Sequence, residues 1–144
     1  MRSGGFTLLE VLLSVGIITI LVSLSLPIYA TFVQKNDLDL TAQSLANTIR
    51  RAQTYNRGAK NDSAWGVEVL SSSYVIFKGT TYAGRDTTAD ETSIIPASIT
   101  PSGTAEIDFN KLAGTPTATA SITLTSTTTD TRVINVNAKG MVDY

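Results

Sequence analysis

The sequence predicts an α+β fold in which one long N-terminal α-helix packs on an antiparallel β-sheet domain. Two observations indicate this fold. The first third of the 144 residues is strongly apolar and has helical periodicity. Residues 64–144 instead alternate between apolar and polar positions and are rich in Thr and Ser, which suit β-strands. A chain of this length supports one domain of modest size.

Composition argues against several classes of function. The sequence contains no histidine, which removes the commonest general base near neutral pH and the commonest zinc ligand. It contains no cysteine, so neither a disulfide nor a thiolate nucleophile is available. We therefore expect no enzymatic activity and no cofactor. The formal net charge of −1 offers no bulk attraction to nucleic acid.

An apolar segment near the N-terminus is long enough to cross a membrane. Residues 11–34 are 24 consecutive positions without a charge, whereas a bilayer core needs about 20 helical residues. Arg2 precedes the segment, which favours a cytoplasmic N-terminus. We predict one helix from Phe6 to about Arg57, with residues 6–30 as its transmembrane part.

A single carboxylate, Glu10, interrupts this apolar stretch. A charge at such a position costs about 2.5–3.5 kcal/mol even on the lenient scale. A plain single-span anchor would explain the length of the segment but not this residue. A cleaved secretory signal ending at Ala30 would fit the basic start. The apolar run is long for such a signal, however, and residues 28–30 form a poor cleavage site.

A third interpretation explains these residues together. The run Gly5-Phe6-Thr7-Leu8-Leu9-Glu10 resembles the class III signal of type IV pilins and type II secretion pseudopilins. The resemblance implies that a prepilin peptidase cuts between Gly5 and Phe6, which makes residues 1–5 a cleaved leader. It implies that the same enzyme N-methylates Phe6. Pro27 matches the helix-kinking proline of that family, and a proline inside a helix predicts a bend.

The resemblance also gives Glu10 a role in assembly, because cleavage would expose a cationic amine on Phe6. A charge buried among apolar helices requires a partner. The amine and Glu10 are four residues apart and could pair within one helix. Alternatively, Glu10 of an incoming subunit pairs with the amine of a subunit already in the filament and sets their register.

Helical periodicity continues beyond the apolar segment, through residues 31–58. One apolar stripe is expected to face the sheet, at Leu38, Ala42, Leu45, Ile49 and Ala52. Polar residues occupy the opposite face, at Asp39, Gln43, Asn47, Arg50 and Gln53. We expect the helix to stop near residues 56–58, with Gly58 as the residue after the C-cap.

About six or seven strands are expected in residues 64–144. Residues 64–78 predict a hairpin with a turn at 71–73, and residues 79–92 predict a loop. Further strands are expected at 93–100, interrupted by Pro96, at 105–109, at 118–124, around 134–136 and at 141–144. The order of these segments, with Trp-Gly-Val-Glu-Val directly after the helix, resembles GspH/FimT-like minor pilins and implies their pilin-like lollipop shape.

Two clusters of charged residues, one acidic and one basic, are also considered as ligand sites. Asp86, Asp90 and Glu91 could bind calcium, but their spacing matches no EF-hand and a solvated loop is the simpler interpretation. A local basic cluster could contact DNA, although few aromatic residues accompany it. It comprises Arg50, Arg51, Arg57 and Lys60, and a solvated helix end is again the simpler interpretation.

The resemblance implies a structural subunit of a type IV pilus or type II secretion pseudopilus. The implied partners are other pilin or pseudopilin subunits, prepilin peptidase, an inner-membrane assembly platform and membrane lipid before assembly. The implied location is the inner membrane, with the N-terminus in the cytoplasm, followed by a periplasmic or extracellular filament. A DNA-binding minor pilin of a competence pilus and an uncleaved single-span membrane protein remain the alternatives.

Overall fold

The computed structural model describes residues 5–144, except for the side chains of residues 24–28 and 30. The chain divides into two compact units. The N-terminal unit ends at Val33, and the globular unit comprises Gln34–Tyr144. The described part of the N-terminal unit is helical from Leu8 onward, whereas the globular unit contains helix, strands and the core.

One helix, α1, spans Leu8–Arg57. It begins two residues later than the expected start at Phe6, because Thr7 occupies the capping position rather than the first helical one. The helix is unbroken through position 27. The side chain of Pro27 lies outside the described residues, and the bend there stays a prediction.

The end of α1 confirms the predicted stop but not the role of the glycine. The amide of Gly58 still donates to the carbonyl of Thr54 at 2.9 Å, as in a helix. The left-handed residue is Ala59, with φ of 45°. Gly58 has no positive φ, so it is not the left-handed residue that was expected after the C-cap. A short 3₁₀ turn, Lys60–Asp62, follows.

Eight strands in residues 5–144 form two four-stranded sheets, in which every pairing is antiparallel. The first sheet has the order β3-β2-β1-β5 and the second the order β4-β6-β7-β8. The strands are β1 Trp65–Val69, β2 Ser73–Lys78, β3 Asp86–Ile94, β4 Ile99–Gly103, β5 Glu106–Asp108, β6 Ala120–Ser126, β7 Thr131–Val136 and β8 Val142–Asp143. The hairpin predicted for residues 64–78 is confirmed as β1 paired with β2.

Four expectations about the strands were wrong, the first being their number, because the described residues form eight strands and six or seven were expected. Residues 79–92 are not one loop, because β3 begins at Asp86 and pairs with β2 along the edge of the first sheet. Residues 93–100 are not one interrupted strand, because β3 ends at Ile94 and β4 begins at Ile99 in the other sheet. Ala118 is exposed and precedes β6. An edge strand such as β3 buries no complete face, so it lacks the alternation that predicts strands.

The predicted helical stripe is confirmed as the helical side of the core. All five of its residues are at most 1% exposed, and they pack in one cluster with side chains of both sheets. Gln53 corrects the expected polar face, because it is buried rather than directed to solvent. Its Nε2 donates to the carbonyls of Gly114 at 2.8 Å and Gly140 at 3.0 Å. These bonds offset the cost of burying the amide.

Candidate functional site

The predicted cleavage junction lies in exposed, non-helical chain. Gly5, Phe6 and Thr7 precede the helix, and the side chain of Phe6 is 83% exposed. A Cβ added to Gly5 would have no atom within 4 Å. The fold itself therefore places no demand for glycine at this position, and a requirement for glycine there would have to come from a molecule that binds the junction.

The first turn of α1 has a side-chain cap. Thr7 Oγ1 accepts a hydrogen bond from the amide of Glu10 at 3.3 Å, and the carbonyl of Thr7 accepts one from the amide of Val11 at 3.2 Å. Thr7 is thus the N-cap, and Glu10 is the third helical residue. This Thr-x-x-Glu arrangement matches the sequence pattern of a capping box.

The carboxylate of Glu10 is exposed at the start of the helix. No ion pair involves it among the residues that the structure describes. An anion in the first helical turn is favoured by the helix dipole, which supplies a local reason to tolerate the charge. The proposed pairing with a terminal amine, within one helix or between subunits, stays a prediction.

The helical surface of the N-terminal unit is apolar and exposed. Two of its hydroxyl groups bond to the helix backbone: Ser14 Oγ donates to the carbonyl of Glu10 at 2.7 Å, and Thr19 Oγ1 donates to that of Val15 at 2.7 Å. These two hydroxyl groups therefore need no hydrogen-bond partner from another molecule. The large apolar side chains that are described there and are about half or more exposed are Phe6, Leu8, Leu9, Val11, Leu12, Leu13, Val15, Ile17, Ile18, Ile20, Leu21, Val22, Tyr29 and Phe32.

The three acidic residues considered for calcium lie on β3 and each has its own cation. Asp86 pairs with a lysine at 3.1 Å, and Asp90 with an arginine at 2.8 Å. Glu91 pairs with Arg51 at 2.8 Å and Lys60 at 3.5 Å. Among the described residues, no group of three acidic, histidine or cysteine side chains could hold a metal ion.

The basic cluster at the end of the helix is largely engaged within the globular unit. Arg51 and Lys60 both contact Glu91, and Lys60 Nζ lies 3.5 Å from the ring centroid of Tyr55. Arg50 donates to the carbonyl of Val142 at 2.9 Å. These three side chains therefore already make contacts within the globular unit. This argues against a free basic surface that binds DNA.

Asn56 is a buried polar residue whose bonding role the sequence interpretation missed. Its Nδ2 donates to the carbonyls of Ala52 at 2.9 Å and Trp65 at 2.7 Å, and its Oδ1 accepts from the amide of Trp65 at 3.0 Å. These bonds join the last turn of α1 to the start of β1. The sequence did indicate that Asn56 faces the core, because the spacing of the apolar stripe continues from position 52 to position 56.

A group of carboxyls on the first sheet was also missed. Glu68 lies opposite Glu106, and Asp108 lies opposite Gly66, two positions further along the same register. Burial, the charge of Glu106 and a hydrogen bond with Glu106 raise the pKa of Asp108 to about 6. Burial, followed by the charges of Glu106 and Asp108, raises the pKa of Glu68 despite the opposing charge of Arg85. Strand register, which composition does not reveal, brings these residues together.

The family model described as the prokaryotic N-terminal methylation motif matches residues 1–26. No solved structure matches the chain. Over the side chains that the structure describes, which leave out 24–28 and 30, no helix is both long and apolar enough to cross a membrane.

Proposed function

We propose that this chain is a minor pilin or pseudopilin, a structural subunit of a type IV pilus or a type II secretion pseudopilus. It is made as a prepilin, cleaved after Gly5, N-methylated on Phe6 and assembled into a filament. The N-terminal methylation motif at residues 1–26 carries this proposal. That motif supports a type IV prepilin-like subunit, a membrane-anchored precursor, processing by prepilin peptidase and assembly with other pilin subunits.

The geometry of the junction supports processing at this position. Cleavage requires backbone that an enzyme can reach, and exposed, irregular chain is the usual place for it. Gly5 and Phe6 are both exposed and lie outside the helix. Because nothing in the fold crowds Gly5, a glycine there leaves the backbone open to close approach by a peptidase.

The exposed apolar surface of the N-terminal unit supports membrane anchoring followed by assembly. An apolar surface of this size on a free protein marks a site that contacts membrane or protein. Membrane lipid would cover it in the precursor. The apolar helices of neighbouring subunits would cover it in the filament, with an inner-membrane platform bringing the subunits together.

The order of elements in the globular unit supports the GspH/FimT-like subtype. The helix is followed, after one short 3₁₀ turn, by the hairpin β1–β2, and a second antiparallel sheet ends in the short strand β8. The hairpin begins with the Trp-Gly-Val-Glu-Val strand that suggested this subtype. In the proposed location, the globular unit is periplasmic or extracellular and the N-terminus of the precursor is cytoplasmic.

Intact-mass spectrometry tests the processing step. In a host with an active prepilin peptidase, the product should lack residues 1–5 and carry one additional methyl group. The peptidase-deficient host should yield the full-length chain. Gly5→Leu is the informative variant, because the fold has room for the side chain and a block in cleavage would then reflect the enzyme. A full-length product in the active host would contradict the proposal.

The variant Glu10→Ala tests the assembly step separately. We expect it to insert and to be cut, but to be absent from filaments, because the terminal amine would lack its partner. Ser14→Ala is the matched control, since it removes a polar group one turn further along the same exposed helix. Normal incorporation of Glu10→Ala would remove the proposed role of this carboxylate.

A further inference from the structure

We propose that Thr7 is a positioning residue for the cleavage, because its side chain fixes where the helix begins and so keeps the Gly5–Phe6 peptide bond outside it. This inference rests on the proposed function. It adds a residue for which the sequence interpretation had no role. It concerns the conformation of the chain that is cut rather than the chemistry of cutting.

The hydrogen bonds of the first turn carry the inference. The amide of Glu10 would have no partner inside the helix, and Thr7 Oγ1 supplies one at 3.3 Å. A residue that caps in this way adopts a non-helical backbone itself, so the helix cannot include it. Leu8 is accordingly the first helical residue, and the scissile bond lies in the non-helical stretch before Thr7.

Without the cap, the start of the helix is no longer specified at this position. Phe6 has no feature that prevents it from joining the first turn, whereas Gly5 is a poor helix former. A helix beginning at Phe6 would include the amide of the scissile bond. A peptidase would then have to unwind that turn before the bond could enter its active site.

The choice of threonine fits the surroundings of this cap. Asp and Asn are stronger N-caps than Thr. An aspartate at position 7 would, however, add a second negative charge within one turn of Glu10, where like charges repel. Threonine provides the acceptor oxygen without a charge, and its methyl group is compatible with the apolar segment that follows.

The test measures the initial rate of leader removal from the full-length chain in membranes that contain prepilin peptidase. We expect Thr7→Val, which has nearly the same shape but no acceptor oxygen, to be cut about fivefold more slowly, the equivalent of about 1 kcal/mol for a lost cap. Thr7→Ser should restore the wild-type rate. Thr19→Val is the matched control, since it removes a hydroxyl bond from the middle of the same helix and should leave the rate unchanged.

Hydrogen exchange of the Glu10 amide in micelles, measured without the peptidase, provides an independent readout. The amide should be protected in the wild type and in Thr7→Ser, and it should lose protection in Thr7→Val. Wild-type cleavage of a Thr7→Val chain whose Glu10 amide is unprotected would overturn the inference. An unprotected amide in the wild type would also overturn it. Failure of the peptidase to cut the wild type would instead overturn the proposed function.

Discussion

The N-terminal and globular units differ in how they treat apolar side chains and in how they hydrogen-bond polar ones. Leu12 in the first is 63% exposed, whereas Leu45 in the second is fully buried. The hydroxyl of Ser14 bonds four residues back along its own helix, but Gln53 bonds carbonyls that are 61 and 87 residues away. The globular unit thus builds its own apolar interior. In the N-terminal unit the hydroxyl groups of Ser14 and Thr19 are satisfied locally, and the described apolar side chains remain exposed.

The largest difference should appear when one substitution is made in both units. Leu45→Ala should lower the free energy of unfolding by about 2–5 kcal/mol, because it leaves a cavity in the core. Leu12→Ala should change it by less than about 0.5 kcal/mol, since its side chain is exposed. Denaturation of the full-length chain in detergent, followed by Trp65 fluorescence, measures both. Equal losses in the free energy of unfolding would contradict the difference between the buried core of the globular unit and the exposed surface of the N-terminal unit.

Removing a long-range polar contact should have the next largest effect. Asn56→Ala leaves both the amide and the carbonyl of Trp65 without their side-chain partner, at a cost of about 2–4 kcal/mol. Asn47→Ala is the matched control, because its amide makes one exposed contact with Arg50, and it should cost less than about 0.5 kcal/mol. The same denaturation assay applies, and a similar small loss for both variants would show that the buried bonds contribute little.

The cluster of carboxyls on the first sheet, formed by Glu68, Glu106 and Asp108, predicts that the stability of the protein depends on pH. The pKa of Asp108 is about 6 in the folded chain and about 3.9 in an unfolded one. Between these values the folded state binds more protons, so the free energy of unfolding should fall as pH rises from about 4 to about 6. Above pH 6 the stabilisation from this proton is lost.

Asp108→Asn should flatten that part of the stability profile and stabilise the protein at pH 7. We expect a change of about 1 kcal/mol, because solvent screens a carboxyl that is only partly buried. Denaturation midpoints between pH 4 and 7 measure it. An unchanged slope between pH 4 and 6 would assign the dependence to Glu68, whose pKa is also raised.

The smallest effect should come from the connection between the helix and the first strand. Ala59 has a φ of 45°, which costs a residue with a side chain about 1 kcal/mol or more. Ala59→Gly should therefore stabilise the globular unit by about 0.5 kcal/mol after the extra chain entropy of glycine is subtracted. Ala46→Gly, within the helix, should destabilise it by about 1 kcal/mol or more. If both variants changed the free energy of unfolding in the same direction, the role assigned to the left-handed backbone at Ala59 would be contradicted.

The parts of the fold that depend on near neighbours in the chain were predictable. The stripe from Leu38 to Ala52 follows from helical periodicity, and the hairpin of β1 and β2 follows from two alternating runs joined by a serine turn. The candidate junction at Gly5 and Phe6 follows from the signal-like run of residues, which is also local. In each case the residues that carry the signal are those that form the element.

Tertiary structure alone decided the rest. The strand β3 has no apolar alternation, and it exists because β2 offers hydrogen bonds along its free edge. Glu68 and Glu106 meet only because β1 and β5 pair in one register. Sequence by itself determined which segments are helix or hairpin, since those patterns are short-range. Pairing at sheet edges, buried polar contacts and shifted pKa values depend on residues far apart in the chain, which only the folded arrangement brings together.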